Sequence, residues 1–312
     1  MPDLIPTIFS ILYALTLLIA VVAIGYRFLR RDRTGPGIGA PAMPDEQTGE
    51  IAGFPEPPPI LPGKVKTAFY RRGDLMGISL LYLLFVNASL GSLKSQQGTD
   101  LSAITASQLF VGMLIQLIIP AVVVVAAMRL TSLNEWLGLR WRQWREALWI
   151  APVSVILLAA IFYGIDSIGY REWLESLGVE TKQDTVALLE NTRDPAVLGM
   201  MIIAAVVMAP LWEELVFRGY LYPVLKKYGG IWVAALCSSL LFAAIHNSLV
   251  SILPLFLLAL MMVWLYERSG SIWMPIAIHA CFNGLSVLGI LAVRNQNANS
   301  AILLEWLPFL PY

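Results

Sequence analysis

The chain has 312 residues, of which 58% are hydrophobic and 13% are charged, and its mean hydropathy is +0.71. Soluble proteins carry roughly 25% charged residues, so this composition indicates a membrane protein and excludes an ordinary soluble domain. The 21 basic and 21 acidic residues cancel, which leaves no sign of a nucleic-acid partner, and two cysteines, Cys237 and Cys281, are too few for a disulfide scaffold or a cysteine-rich zinc site.

Apolar runs approach the roughly 20 residues that a transmembrane helix needs at several places along the chain. They predict eight spans, at 4–26, 75–93, 108–128, 147–165, 197–217, 231–250, 252–266 and 272–293. The seventh span is short and the eighth begins near Pro275, so seven spans is the alternative count. The predicted fold class is therefore an all-α, polytopic transmembrane helical bundle with about eight spans.

Basic residues follow the first span, precede the second, lie between the third and fourth, and follow the fifth. The positive-inside rule places these loops in the cytoplasm and both termini outside. The stretch 136–149 interleaves Arg and Trp, which predicts a segment on the membrane surface. We divide the chain into an N-terminal transmembrane anchor (1–33), a Pro/Gly-rich cytoplasmic linker (34–70), a membrane-embedded core (71–295) and a C-terminal tail (296–312).

The fifth span ends with two adjacent glutamates and an arginine, Glu213, Glu214 and Arg218. A charge at mid-bilayer costs at least about 2.5–3.5 kcal/mol, so these residues need an explanation. Glu214 and Arg218 are four apart and can pair on one helix face. Glu213 lies about 100° round the helix without an obvious counterion, which suits a general base. Alternatively, both glutamates form a solvated cluster at the headgroup level.

The chain has two histidines, and both lie in apolar spans. His246 follows Phe242 by four residues in the sixth span, and His279 precedes Asn283 by four in the eighth. A single buried histidine is more often a core residue with satisfied hydrogen bonds than a catalytic group. That explanation is weaker for two histidines that each have a polar neighbour, Asn247 in one case and Asn283 in the other.

Together these groups could hydrolyse a peptide bond without a covalent intermediate. A glutamate beside a histidine can deprotonate water, and a second histidine with an asparagine can donate hydrogen bonds to an oxyanion. Glu213, His246 and His279 could instead bind a divalent metal such as zinc. Neither His-Glu-x-x-His nor Gly-x-Ser-x-Gly occurs, so neither the usual zinc-peptidase helix nor the serine-hydrolase elbow is supported.

Three motifs therefore stand in order on separate spans: Glu213-Glu214-x-x-x-Arg218, Phe242-x-x-x-His246 and His279-x-x-x-Asn283. This ordered set resembles the CPBP family (CAAX protease and bacteriocin-processing, Abi-like) of intramembrane glutamic endopeptidases, over residues 195–295. The resemblance implies a helical membrane fold with a cavity between helices. It also implies that Glu213 and His246 activate water, that His279 and Asn283 stabilise the oxyanion, and that Glu214 and Arg218 hold the site together. Family members are often called metalloproteases, so a metal stays open beside a metal-free mechanism.

The sequence thus predicts a multi-pass plasma-membrane endopeptidase whose partners are the lipid bilayer and a membrane-bound protein or peptide substrate. One alternative is a non-catalytic scaffold or peptide-binding protein that keeps the same polar residues. A proton-coupled transporter is a weaker alternative, since it would favour an inverted repeat and polar residues along several spans. Neither feature is found in the sequence.

Overall fold

The computed structural model describes residues 4–33, 63–95, 105–141, 143–179 and 184–294. Within these ranges the regular structure is entirely helical, which confirms the predicted all-α bundle. Most of the predicted linker and all of the predicted tail, 296–312, lie outside the described residues.

The helices are named here in chain order. They are α1 Leu4–Arg33, α2 Gly73–Ser95, α3 Ala106–Gln116, α4 Ile118–Met128, α5 Leu133–Leu137, α6 Ala147–Ser167, α7 Tyr170–Ser176, α8 Asp184–Asn191, α9 Pro195–Ile203, α10 Ala209–Val216, α11 Tyr222–Gly229, α12 Ile231–Ala244, α13 Leu249–Ser269 and α14 Trp273–Arg294. Two π-helical segments, Ala204–Met208 and Phe217–Leu221, join α9, α10 and α11 into one rod.

Seven helical segments of the described chain are long and apolar enough to cross a membrane. They confirm an integral, multi-pass membrane protein, and the eighth apolar helix is α12, which has only 14 residues. The sequence predicted that the seventh span would be the short one, whereas in the structure the short helix is the sixth, α12. The reason is that the predicted run 231–250 is interrupted after Ala244. Asn247 adopts a left-handed φ of 56° after α12, and the Ser248 side chain then accepts the Ser251 N–H and starts α13.

The fifth predicted span is longer than expected. The rod formed by α9, α10 and α11 runs over Pro195–Gly229, 35 residues rather than the predicted 197–217. At about 1.5 Å per residue it is roughly 50 Å long, well beyond the roughly 30 Å hydrocarbon core of a bilayer. Glu213 and Glu214 therefore lie near the middle of a continuous rod, not at its end.

The loops that the positive-inside rule assigns to the cytoplasm lie together at one end of the bundle. The Lys64 N–H donates to Glu267 O at 2.9 Å, and the Ile272 N–H donates to Leu137 O at 2.9 Å. At the same end Phe28 of α1 stacks on Tyr228 of α11, with ring centroids 6.2 Å apart. These contacts gather the loops at one end of the bundle, which we call the basic end, and the side of the membrane on which they lie stays a prediction.

Residues 63–70, the last part of the predicted linker, pack against the core at the basic end. Glu267 is only 8% exposed and accepts hydrogen bonds from Lys226 Nζ at 2.6 Å, from the Tyr222 hydroxyl at 2.7 Å and from the Val65 N–H at 3.3 Å. Lys226 Nζ also donates to Val65 O at 3.0 Å. The buried Glu267 carboxylate therefore holds residues 63–70 against α11 and α13 through hydrogen bonds.

Trp136 lies in the core, although the sequence suggested a membrane-surface segment at 136–149. It is 4% exposed, and its indole N–H donates to Gly219 O at 2.6 Å. The Tyr70 hydroxyl donates to the same carbonyl at 2.7 Å, and burial raises the pKa of Tyr70, which keeps this hydroxyl a donor. Trp144 and Trp149 are exposed, as expected of residues at the membrane surface.

Candidate active site

Three separate helices bring Glu213, His246 and His279 together. Glu213 lies on α10, His246 directly after the end of α12, and His279 in the second turn of α14. Glu213 Oε2 is 3.9 Å from His246 Nε2 and 4.0 Å from His279 Nε2. The Glu213 and His246 side chains are each 28% exposed and that of His279 is 3% exposed. The structure thus forms a common polar centre from the three side chains that the sequence singled out.

Glu214 lies beneath this centre and connects Arg218 to His279. Its side chain is fully buried, and its Oε1 accepts hydrogen bonds from Arg218 Nη1 and from His279 Nδ1, each at 2.9 Å. The pairing of Glu214 with Arg218 follows from their spacing of four. The bond to His279 spans 65 residues, so the local spacing of the motifs gave no sign of it.

The partners of the two imidazoles determine which nitrogen carries the proton. His246 Nδ1 lies 2.7 Å from Phe242 O, and a carbonyl oxygen can only accept, so Nδ1 of His246 is the donor. His279 Nδ1 faces the Glu214 carboxylate, which Arg218 pairs, so it too is the donor. In the neutral ring each Nε2 then has a free lone pair, and both lone-pair nitrogens lie on the side of Glu213.

This arrangement can hold a water molecule. An oxygen placed about 2.8 Å from Glu213 Oε2 and from one Nε2 bridges a gap of 3.9 or 4.0 Å at an angle near 90°. Glu213 Oε2 is buried and has no hydrogen-bond partner within the described part of the protein. An orphaned carboxylate oxygen facing two lone-pair nitrogens favours a molecule that donates two hydrogens, as water does.

Phe242 separates and supports the two histidines. Its ring is fully buried, with centroids 5.0 Å from the His246 ring and 5.6 Å from the His279 ring. The Arg218 guanidinium carbon lies 4.6 Å from the Phe242 centroid, within cation–π range, and Arg218 Nη2 donates to Ala259 O at 3.3 Å. Sequence reasoning assigned Phe242 no role beyond its place in a motif, whereas the structure makes it the packing contact of three polar site residues.

Asn283 is placed differently from the other predicted site residues. Its Nδ2 donates to Ala205 O, 2.8 Å away, in the first π-helical segment. This bond ties α14 to the rod one helical turn from His279. An amide nitrogen carries two hydrogens, so one remains for another acceptor. Its predicted part in oxyanion stabilisation stays a prediction.

The three central side chains do not fit a zinc ion as they stand. Ligand atoms around tetrahedral zinc, each about 2.0–2.1 Å from the metal, lie roughly 3.3 Å from one another. Glu213 Oε2 stands 3.9 and 4.0 Å from the two nitrogens, which is wider by more than half an ångström. Among the described residues no cluster of three His, Cys, Asp or Glu side chains has metal-binding geometry.

Comparisons with known proteins find that the part of the chain containing this site is similar to one family. Residues 195–285, which include all six predicted site residues, match the family described as "Type II CAAX prenyl endopeptidase Rce1-like". The chain is 27% identical over 135 residues to "Putative membrane peptidase YdiL" of Bacillus subtilis (strain 168), which covers 42% of this chain and 54% of that protein. It is 28% identical over 149 residues to an "Uncharacterized 24.3 kDa protein" of Escherichia coli, covering 42% of this chain and 66% of that protein.

Together with the helical membrane fold, these matches show a multi-pass membrane protein whose residues 195–285 are similar to CAAX-type membrane peptidases. The match over residues 195–285 and the similarity to a putative membrane peptidase are consistent with the CPBP family that the motifs predicted. The matches cover between half and two thirds of the length of the two curated relatives. No solved structure gives a significant match. Helices α1 to α8 lie outside the residues matched by the family model.

Proposed function

We propose that the protein is an intramembrane endopeptidase that hydrolyses peptide bonds of membrane-bound proteins or peptides. The observation that carries this proposal is the convergence of Glu213 Oε2 on the Nε2 atoms of His246 and His279, at 3.9 and 4.0 Å. Carboxylate and imidazole lone pairs facing one point form a base that can activate water inside an otherwise apolar bundle.

In the proposed reaction Glu213 is the general base and His246 orients the water. The water oxygen attacks the carbonyl carbon of the scissile peptide while one of its protons passes to Glu213. The carbonyl π electrons move to the oxygen and give a tetrahedral oxyanion. Glu213 then returns this proton to the leaving nitrogen, the C–N bond breaks, and the products are a carboxylic acid and an amine.

His279 and Asn283 are assigned to the oxyanion. His279 acts on the oxyanion when Nε2 as well as Nδ1 carries a hydrogen, and the 2.9 Å bond from Nδ1 to Glu214 holds the ring in place. The second amide hydrogen of Asn283 is the other donor. Glu214 and Arg218 are positioning residues in this scheme, because they touch His279 and Phe242 and not the water.

The membrane setting and the family description support a proposal for the substrate class. A site within a multi-pass bundle is reached most readily by chains already held at the bilayer, and the matched family is described as a CAAX prenyl endopeptidase. We therefore propose membrane-anchored chains, with prenylated CAAX tails as the first candidates, and the plasma membrane as the location.

The proposal is tested with purified protein in lipid nanodiscs and quenched fluorescent peptides, one carrying a prenylated CAAX tail and one spanning the bilayer. Wild-type protein is expected to cleave at least one of them, and Glu213→Gln is expected to lower kcat by about 10²–10⁴-fold. Glu135→Gln is the matched control, because Glu135 is an exposed glutamate at the basic end that contacts only Thr131 and Lys66 through its carboxylate.

Cleavage is expected to persist in EDTA, since the spacing of the site suits water better than zinc. Equal cleavage by wild type and Glu213→Gln would rule out the proposed mechanism. Binding of the peptides by both proteins, without cleavage by either, would instead assign the chain to the non-catalytic peptide-binding alternative.

A further inference from the structure

Asn247, the residue after His246, has a backbone conformation that governs the end of α12. Its φ of 56° is the only positive φ of a non-glycine residue in the described chain, and asparagine is among the few residues that adopt it readily. The turn of α12 that precedes Asn247 is tightened. The His246 N–H bonds Ala243 O at 3.3 Å, and the Asn247 N–H bonds Ala244 O at 3.2 Å, each three residues back.

This helix end determines the orientation of His246. In a continuing α-helix the carbonyl of Phe242 would accept the backbone N–H of His246, four residues on. Here that backbone N–H turns to Ala243, and the Phe242 carbonyl accepts the side-chain Nδ1–H of His246 instead, at 2.7 Å. The tightened turn, which ends at the left-handed Asn247, thus leaves the carbonyl free to fix the tautomer that points a lone pair from Nε2 toward Glu213.

Asn247 is itself held by two helices from the N-terminal part of the chain. The Ser89 hydroxyl of α2 donates to Asn247 Oδ1, and Asn247 Nδ2 donates back to Ser89 O at 3.3 Å. The Tyr13 hydroxyl of α1 donates to Ser89 Oγ at 2.5 Å, and the Tyr82 hydroxyl donates to Tyr13 O at 2.6 Å. Tyr13 and Ser89 are 2% and 3% exposed, so the bond between them is buried, and the bonds that join Ser89 to Asn247 and Tyr82 to Tyr13 are partly buried.

Buried polar groups in a membrane bundle are costly unless each has a partner. Tyr13, Ser89 and Asn247 satisfy one another's hydrogen bonds in this way. Asn247, at one end of the series, is next to His246 in the sequence. We propose that Asn247, held by Ser89, which in turn accepts a hydrogen bond from Tyr13, is a positioning residue for His246. The proposal rests on the proposed function for its catalytic consequence, and it makes α1 and α2, which lie outside the family-matched segment, part of the support of the site.

The orientation of His246 can be measured without any substrate. Because the chain has two histidines, ¹⁵N-histidine-labelled protein in nanodiscs gives two imidazole signal sets, and His279→Gln assigns them. Wild-type His246 is expected to carry its proton on Nδ1. Ser89→Ala and Asn247→Ala are expected to shift its nitrogen signals toward a mixture of tautomers. Ser79→Ala is the matched control on α2, since the Ser79 hydroxyl bonds its own helix at Leu75 O.

Cleavage kinetics give the second readout. Ser89→Ala and Asn247→Ala are expected to lower kcat about tenfold with little change in KM, because the base is misaligned while the substrate-binding surface is intact. Ser89→Thr retains the hydroxyl and is expected to restore most of the rate. Tyr13→Phe is a milder variant for the case that either alanine substitution prevents folding, and Tyr26→Phe, at an exposed position of α1, is its control.

Unchanged His246 nitrogen signals in the folded Ser89→Ala and Asn247→Ala proteins would overturn the inference, whatever the cleavage rates. A wild-type protein that cleaves nothing would overturn the proposed function alone, and the nitrogen signals would still decide whether Asn247 orients His246.

Discussion

Glu214 carries two of the short polar contacts of the site through a single oxygen. Arg218 Nη1 and His279 Nδ1 both donate to its Oε1 at 2.9 Å, and the Glu214 and Arg218 side chains are 0% and 1% exposed. Removal of one member of a buried ion pair leaves the other charge without compensation. Joint replacement by apolar residues of similar volume is often close to neutral.

We therefore expect Glu214→Leu to lower the free energy of unfolding by about 3–5 kcal/mol. The double variant Glu214→Leu/Arg218→Met is expected to recover much of this loss, because it leaves no buried guanidinium without a partner. Denaturant or thermal unfolding of the three proteins in one detergent measures both values. A double variant that is no more stable than Glu214→Leu would show that the pair is not the source of the effect.

At the residue scale, the sequence could predict what lies within one or two helical turns. The spacing of Glu214 and Arg218 indicated their ion pair, and the histidine count marked His246 and His279 as unusual. The Glu214–His279 bond and the Asn283–Ala205 bond join elements that are 65 and 78 residues apart. These two bonds depend on how the helices pack against one another, and the periodicity of apolar residues along the sequence does not specify that packing.

At the scale of elements, hydropathy located every long helix but misjudged where two of them end. The run 231–250 is mostly apolar, and its average hydropathy conceals the polar residues 246–248 that follow the end of α12 at Ala244. The break comes from backbone chemistry, with a left-handed Asn247 followed by the Ser248 cap of α13. An Asn-Ser pair is a turn signal even within an apolar run, and greater weight on it would have found the boundary.

At Gly138 the loop that follows α5 comes very close to the loop that follows α13, at the basic end. Its φ is +62°, and a Cβ at this position would lie 1.9 Å from the main-chain oxygen of Gly270, which caps α13. Leu137 O accepts the Ile272 N–H at 2.9 Å beside it, so neither backbone can move freely. The two loops fit together only because residue 138 lacks a side chain.

Gly138→Ala is expected to lower the free energy of unfolding by about 2–4 kcal/mol, the sum of about 1 kcal/mol for left-handed backbone and about 1–3 kcal/mol for overpacking. Gly112→Ala on α3 is the control, since a methyl group added there would have no neighbouring atom within 4 Å, and the change is expected to stay within about 1 kcal/mol. Unfolding in detergent compares the two. Equal stability of both variants would contradict the close contact.

At the scale of the whole molecule, the basic loops form a single face although they come from distant parts of the chain. The segment 63–70, α5 and the ends of α11 and α13 meet there through main-chain bonds and through the buried Glu267 carboxylate. The positive-inside rule predicted that these loops share one side of the membrane. It could not predict that they contact one another, because the rule concerns insertion and not packing.

The orientation of this face is testable with single cysteines in a Cys237→Ala/Cys281→Ala background. The Lys66→Cys protein, changed at a side chain that is 65% exposed, is expected to react with an impermeant maleimide only from the cytoplasmic side. The Ile168→Cys protein, changed at a residue that is 83% exposed beyond the far end of α6, is expected to react only from outside. The reverse pattern, measured in right-side-out and inside-out vesicles, would invert the proposed topology.

The two π-helical segments have a consequence for how the proposed catalytic glutamate is aimed. Each residue advances an α-helix by about 100°, and a π turn holds an extra residue, so the short stretch of α10 between Ala204–Met208 and Phe217–Leu221 is out of phase with both of its neighbours. The direction in which Glu213 points from the rod axis is thus set by the two π-helical turns and not by the ends of the rod. Deleting a single residue from either turn would swing the carboxylate round the rod axis and away from both imidazoles, even though every site residue would still be present.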